Sequence, residues 1–374
     1  MARRTPIYRP ELIARAIETL AVELAPSLRV RRREGVDPDR NRAAADLIDI
    51  DAPSGRTVTL AVEARRTITP REAEQLVTRD AGSSRPERLA VIVVAPWLSP
   101  RTRQVLAESG ANYADLTGNM LIRVDDPVIF VRTDGATRDP APAPRKNASL
   151  RGPKTARLVR LLADVRPPYG VRELATAADL APGYVSRLLA AFDREAVVDR
   201  DARGRVQAVD VKGLIRRYAE NYDTFSTNGS ELFLAARGVR AALTGLADVA
   251  TPTAVTTSFA ANRIAPVAPA VLLTVYCADV AATARALNLR PCDPGGGANV
   301  VLMHPFDTVV WQDITLEDGV NYVAPSQAAL DCLSGLGRMP SEGEALLDWL
   351  VKDESAWRAT SLTALSDARQ RSDG

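Results

Sequence analysis

The segment "DGATRDPAPAPRKNASLRGPK", residues 134–154, constrains this chain more than any other stretch. Alternating proline and alanine flanked by charges continues neither a helix nor a strand ladder, because proline has no amide donor and fixes its own φ. One domain must therefore close before it and another open after it. We place the first domain at 1–134 and the linker at 135–150. A weaker break falls at "TFSTNGSE", residues 224–231, where turn-forming polar residues follow a helical run. It divides the remainder into 151–225 and 226–352, with a polar tail at 353–374. The expected fold class is multidomain α/β, and 374 residues suffice for two or three such units.

In the first domain Leu12, Ile13, Ala16, Ile17, Leu20 and Leu24 recur at three- and four-residue steps, which predicts an opening amphipathic helix. "SLRVRRR", "AAADLIDID" and "RTVTLAVEARR" follow as strands, the last two joined in a hairpin by "APSG". Helices at "TPREAEQLVTRDA" and "SPRTRQVLAESG" bracket the run "LAVIVVAP", and "NMLIRV" and "VIFVRT" close the domain. The order is α-β-β-β-α-β-α-β-β. The unbroken apolar run implies a strand buried on both faces, hence a sheet with helices on either side.

Period-two alternation puts Asp49 and Asp51 on one face of their strand, and Glu63 and Arg65 together on the next. Converging carboxylates can hold a divalent cation, and a neighbouring cation can steady an attacking hydroxide. Such alternation also guards ordinary edge strands against aggregation. With an acidic residue on one strand and E-x-R on the next, residues 8–133 resemble the PD-(D/E)xK restriction-endonuclease-like fold. That resemblance implies Asp49 and Glu63 as metal ligands for Mg²⁺, and Arg65 as the third catalytic residue. The family carries lysine where Arg65 stands, and arginine is never deprotonated and presents a wide fork. The expectation is a degenerate site, not a working enzyme, and no cofactor unless the nuclease works. Downstream, Tyr113, Asp115, Thr117, Gly118 and Asn119 form a dense polar run. It reads as a turn, with phosphate or metal contacts by Asp115 and Asn119 as the alternative.

The middle domain carries the most specific pattern. "KTARLVRLLADV" and "GVRELATAADL" are helices with small residues suited to a close crossing, and "APG" is a short turn. A third helix begins near Gly183, with Val185, Leu188, Leu189 and Phe192 facing inward and Tyr184, Ser186 and Arg187 outward. "VVDRDARGRVQAV" alternates around Gly204 as a hairpin tipped by Arg203 and Arg205, suited to phosphate or minor groove. Residues 150–212 thus resemble the winged helix-turn-helix of bacterial transcription regulators. That resemblance implies DNA contacts by Arg172, Tyr184, Ser186, Arg187, Arg203 and Arg205. The following "VKGLIRRYAENYDTF" reads as a helix that packs on the next domain.

The rear domain shows strands at "AVLLTVYC" and "ANVVLMHP", a third candidate at "TVVWQDI", and helices at "DVAATARALN" and "PSQAALDCLSGL". Gly295, Gly296 and Gly297 precede a strand instead of opening a helix, so they form a turn and no nucleotide cradle. With Thr244, Gly245, Pro305, Asp307, Ser326, Gln327, Asp331 and Arg338 as landmarks, residues 237–350 are similar to the C-terminal domain of AbiEi-type antitoxins of type IV toxin-antitoxin systems. Members of that family place a winged helix ahead of it. The resemblance implies repression of the chain's own operon and a partner of nucleotidyltransferase type. Ser326 is expected as a helix N-cap, and Asp331 and Arg338 as an ion pair.

Composition narrows the alternatives. Aromatic residues are 5% of the chain, too few for rows of base-stacking platforms. The single histidine, His304, excludes two-histidine mechanisms, and Cys277, Cys292 and Cys332 fit neither a zinc pattern nor a disulfide framework. Residues 1–150 carry 24 basic and 20 acidic side chains, 151–225 carry 14 and 10, and 226–374 carry 10 and 16. A basic front and an acidic rear suit a protein that lays its first two-thirds on a polyanion. Glu11 and Glu18 interrupt any leader-like start, and Pro266 and Pro269 break the most apolar later stretch. The expectation is a cytoplasmic protein without membrane contact, acting on double-stranded DNA as a sequence-specific repressor and forming a homodimer if its site is a palindrome. The alternative is a metal-dependent DNA nuclease directed by the winged helix.

Overall fold

The apolar stripe of the first twenty-four residues becomes α1 (Arg9–Leu24), whose Leu12, Ile13, Ala16, Leu20 and Leu24 are all buried. The computed structural model of the chain describes residues 9–24, 27–37, 42–81, 89–141 and 150–365. It divides into two units, one of residues 1–146 with 194–196, the other of 147–193 with 197–374. Among the described residues no helix is long and apolar enough to cross a membrane.

In the first unit α1 is followed by β1 (Arg29–Asp37), β2 (Arg42–Asp51), β3 (Thr57–Ala64), α2 (Pro70–Ala81), β4 (Ala90–Ala95), α3 (Pro100–Glu108), β5 (Asn112–Asp115), β6 (Met120–Asp125) and β7 (Val128–Thr133). The seven strands form one sheet in sequence order. It is antiparallel except where β4 runs parallel to β3 and to β5. Alternation sorts the apolar residues into two cores. Ile48, Ile50, Leu60, Val62, Ile92 and Val94 meet α1, while Val93, Ala95, Tyr113 and Leu121 meet Ala73 and Leu76 of α2 and Val105 and Leu106 of α3. Helices do cover both faces, as the run "LAVIVV" requires. The sequence order lacks one strand, β5, because its Asn112 and Asp115 carry turn chemistry although all four of its residues are buried.

The second unit opens with α4 (Pro153–Asp164), α5 (Val171–Ala177), α6 (Pro182–Arg194), β8 (Val198–Arg200), β9 (Val206–Val209) and α7 (Val211–Ala219). It continues with α8 (Thr224–Thr227), β10 (Gly229–Leu234), α9 (Val239–Gly245), β11 (Thr253–Thr256), α10 (Thr257–Ala261), β12 (Leu273–Cys277), α11 (Val280–Ala286) and β13 (Arg290–Pro291). It ends with β14 (Val300–His304), β15 (Thr315–Glu317), β16 (Val320–Tyr322), α12 (Pro325–Leu333), α13 (Met339–Lys352) and α14 (Glu354–Trp357). Its large sheet runs β13-β10-β14-β12-β11-β16-β15, with β14 parallel to β12 and β16 parallel to β11.

Three expectations change here. The break at 224–231 does not separate two cores, since one continuous apolar cluster runs from Ala156 through Phe192, Leu214 and Tyr218 to Val275, Leu302 and Leu350. Polar residues of that segment bind across it: the Thr224 hydroxyl donates to the Asp331 carbonyl and Asn228 accepts the Phe306 amide, while Asp223 just before it caps α8. "TVVWQDI" is no strand, because the Asp307 carboxylate accepts the Val309 amide and winds Thr308–Trp311 into a single 3₁₀ turn. Ser326 is not an N-cap. It sits inside α12, fully buried, and its hydroxyl donates to Asp164 of α4.

Candidate nucleic-acid interface

Helix α6 turns its apolar stripe inward, and Val185, Leu188, Leu189 and Phe192 are each fully buried. Ser186 and Arg187 are left exposed on the other side. Tyr184 departs from its expected outward position. It is half-buried, its hydroxyl shares a 3.0 Å hydrogen bond with Thr155 of α4, and its ring lies 6.0 Å from the Arg187 guanidinium carbon. At that range a cation is drawn to an aromatic face. Tyr184 therefore acts as a rest for Arg187, and of the three residues expected to face outward only Ser186 and Arg187 are exposed.

The hairpin β8–β9 is built by one carboxylate. Asp201 accepts the amides of Arg203 and Arg205, each at 2.9 Å, and the Gln207 side chain at 2.9 Å. The Arg205 amide holds its carboxyl below the ordinary aspartate range. Gly204 takes φ +79°, a backbone conformation that residues with a Cβ rarely adopt, so glycine suits the tip. Arg203 projects freely exposed. Arg205 does not: its guanidinium lies 3.6 Å from Glu173 of α5, which also accepts the Gly170 amide. Arg205 thus ties the hairpin to α5, and Arg172 stands exposed on that helix. Sequence reasoning passed over Asp201 and Glu173; the signal for Asp201 was an aspartate two residues before an arginine at a glycine turn.

The platform beneath is fixed by buried charge. Arg160 of α4 donates to Asp164 at 3.0 Å, to Gln327 at 2.9 Å and to the Val309 and Gln312 carbonyls at 3.3 Å. Arg157 reaches both Asp307 oxygens at 3.1 Å. Gln327 passes the network on by donating to Asp331 at 2.9 Å. Asp331 is fully buried and also accepts from Tyr222 at 3.0 Å, Tyr276 at 3.0 Å and Thr256 at 2.6 Å. Burial pushes its carboxyl up to about 6. The expected ion pair with Arg338 does not form, since four uncharged donors surround the carboxylate and Arg338 is exposed.

In the first unit the predicted metal ligands do not meet. Asp49 stands opposite Thr59, which donates to it at 2.7 Å, and Arg33 lies 3.7 Å away. Glu63 is four residues further along β3, about 13 Å at strand rise, and forms a 2.7 Å ion pair with exposed Arg65. Both carboxylates are buried on one face of the sheet, but they cannot share one ion. Among the described residues no group of three His, Cys, Asp or Glu side chains is placed to hold a metal. Asp115 and Asn119 follow the turn expectation. Asp115 accepts the Leu98, Thr117 and Asn119 amides and both the Thr117 and Asn119 side chains, while Asn119 accepts from Arg103 and the Gly135 amide.

No protein-family model matches the chain, and no curated protein matches it. Among solved structures it is similar to one described as the structure of EndoMS in apo form, at 17% identity and a TM-score of 0.19. The matched stretch covers 30% of this chain and 48% of that one. At that score the likeness bears on neither the fold nor the activity of this chain.

Proposed function

We propose that the chain is a sequence-specific DNA-binding repressor, with α6 entering the major groove and the β8–β9 hairpin lying along the flanking phosphates. The carrying observation is the division of α6 into a fully buried stripe and an exposed face bearing Ser186 and Arg187, backed by a hairpin that holds Arg203 outward. A recognition helix needs that division, because the helix must be anchored while its first turns stay free for base edges. Arg187 suits guanine O6 and N7, the commonest arginine contact in the major groove, and Arg203 suits a phosphate. The similarity to AbiEi antitoxins supports an operator upstream of the chain's own operon and a partner of nucleotidyltransferase type, bound away from the DNA face by the acidic rear residues. For the nuclease alternative, Asp49 and Glu63 do not converge, and among the described residues no group of three His, Cys, Asp or Glu side chains is placed to hold a metal.

A promoter-reporter fusion tests the proposal in cells. The full chain lowers expression from its own upstream region, and Arg187→Ala restores most of it. Equal expression with the full chain, the variant and an empty vector would rule repression out.

A further inference from the structure

The two edges of the first sheet are treated oppositely. On β1 the residues Arg29, Arg31, Arg32 and Arg33 are all exposed, and rows of charge of this kind prevent another strand from pairing. β7 carries a single exposed charge of that kind, Arg132. Val128 is 86% exposed and Phe130 64% exposed, and among the described residues no strand pairs with the outer side of β7. An edge of six residues with free amides and carbonyls and a large apolar side chain invites strand addition.

The charges around β7 say what pairs with it. Exposed Asp125 and Asp126 stand at its start, with Arg56 paired to Asp126 so that one net negative charge remains there, and exposed Arg132 stands near its end. A second β7 laid antiparallel brings each Arg132 toward the other copy's Asp126, whereas a parallel copy sets like charges side by side. Asp134 also lies at that end, but within 3.8 Å of Arg103. An antiparallel pair uses the same surface twice and closes on itself, so it ends at two chains instead of growing into a fibre. The alternation also helps. Ile129 faces the core with α1 and is already buried, so Val128 and Phe130 of the two copies meet on the other face.

We infer that β7 is a homodimer seam, where two copies join edge to edge into one continuous fourteen-stranded sheet. The inference does not depend on the DNA-binding proposal. A seam of one strand per copy covers less than the ~800 Å² per partner of a standard interface, so a micromolar, concentration-dependent dimer is expected.

Sedimentation velocity of the full chain from about 1 to about 100 μM, with amide exchange at both ends of the range, tests it. The expected result is a monomer that becomes a dimer, with the amides of 128–133 gaining protection as it does and those of 29–33 unchanged. Phe130→Lys raises the dimer dissociation constant at least tenfold, and Val128→Lys does the same with an unchanged melting temperature. Arg132→Asp and Asp126→Arg each weaken self-association, and the two variants mixed recover a heterodimer. A monomer at the highest concentration overturns the inference. So does a dimer indifferent to Phe130→Lys, or protection of 128–133 that does not change with concentration, which means the strand is covered within one chain.

Discussion

On the proposed DNA-binding reading, single side chains of α6 and of the β8–β9 hairpin carry distinct burdens. Arg187→Ala removes a base contact and should cost ~1–3 kcal/mol of specific affinity, with most of the loss at one base position of the operator. Arg203→Ala removes a phosphate contact, so it should weaken all duplexes alike and reduce the salt slope by about one. Anisotropy titrations over a salt series separate the two effects, and an unchanged slope with Arg203→Ala would place that residue off the DNA. Tyr184 was legible as a residue of this helix, but its role was not. Its hydroxyl bond to Thr155 spans 29 positions of sequence, and no local pattern encodes such a partner. Asp331 makes a second prediction at this scale. Its folded carboxyl titrates at about 6, above the ~3.9 of an unfolded aspartate. A raised carboxyl means the unfolded chain ionises first, so stability falls as pH rises from about 4 to about 6 and then levels. Asp331→Asn cannot ionise. The difference in melting temperature between variant and wild type should therefore shift in favour of the variant across that window, and a difference constant with pH would contradict it.

Elements are held by different means in the two units, and that decides which were readable. Helices α1 and α6 bury regular stripes, and α4 and strands β3, β4 and β12 bury continuous runs, and both kinds of pattern are visible without any tertiary knowledge. β5, β10 and β11 are short or polar, and they exist because neighbours on both sides complete their ladders. The hairpin of carboxylates was legible as a hairpin and as a shared face. Its register was not, and the register is what parts Asp49 from Glu63, because pairing depends on turn geometry and on both strands at once. Helix α4 offers the sharpest test at this scale. Arg160 and Asp164 are both buried, so Arg160→Leu leaves a carboxylate without its charged partner and should destabilise by ~3–5 kcal/mol. Urea unfolding measures it, and a loss below ~1 kcal/mol would show that α4 is not anchored by this pair.

At the scale of the whole molecule, helices α4–α6 with the β8–β9 hairpin and the acidic rear residues belong to one unit with one core. α4 is joined to α12 by hydrogen bonds from Arg160 to Gln327 and from Ser326 to Asp164, so α4–α6 and the rear residues are packed together within one unit. The sequence suggested two domains there because turn chemistry at 224–231 resembles a linker, while the contacts that cross it lie more than a hundred residues apart. Among the described residues of the first unit Asp49 and Glu63 stand apart, and Glu63→Gln should leave DNA affinity unchanged and duplex DNA intact in the presence of Mg²⁺. Cleavage by the wild-type chain that this substitution abolishes would reverse that conclusion. The central claim is sequence-specific DNA binding. It is tested most directly by fluorescence anisotropy of the full chain on a duplex from upstream of its own coding sequence and on a shuffled duplex, at near-physiological salt. A preference of ~10³ or more for the upstream duplex is the predicted result. Equal affinity for the two, falling steeply together as salt rises, would contradict it.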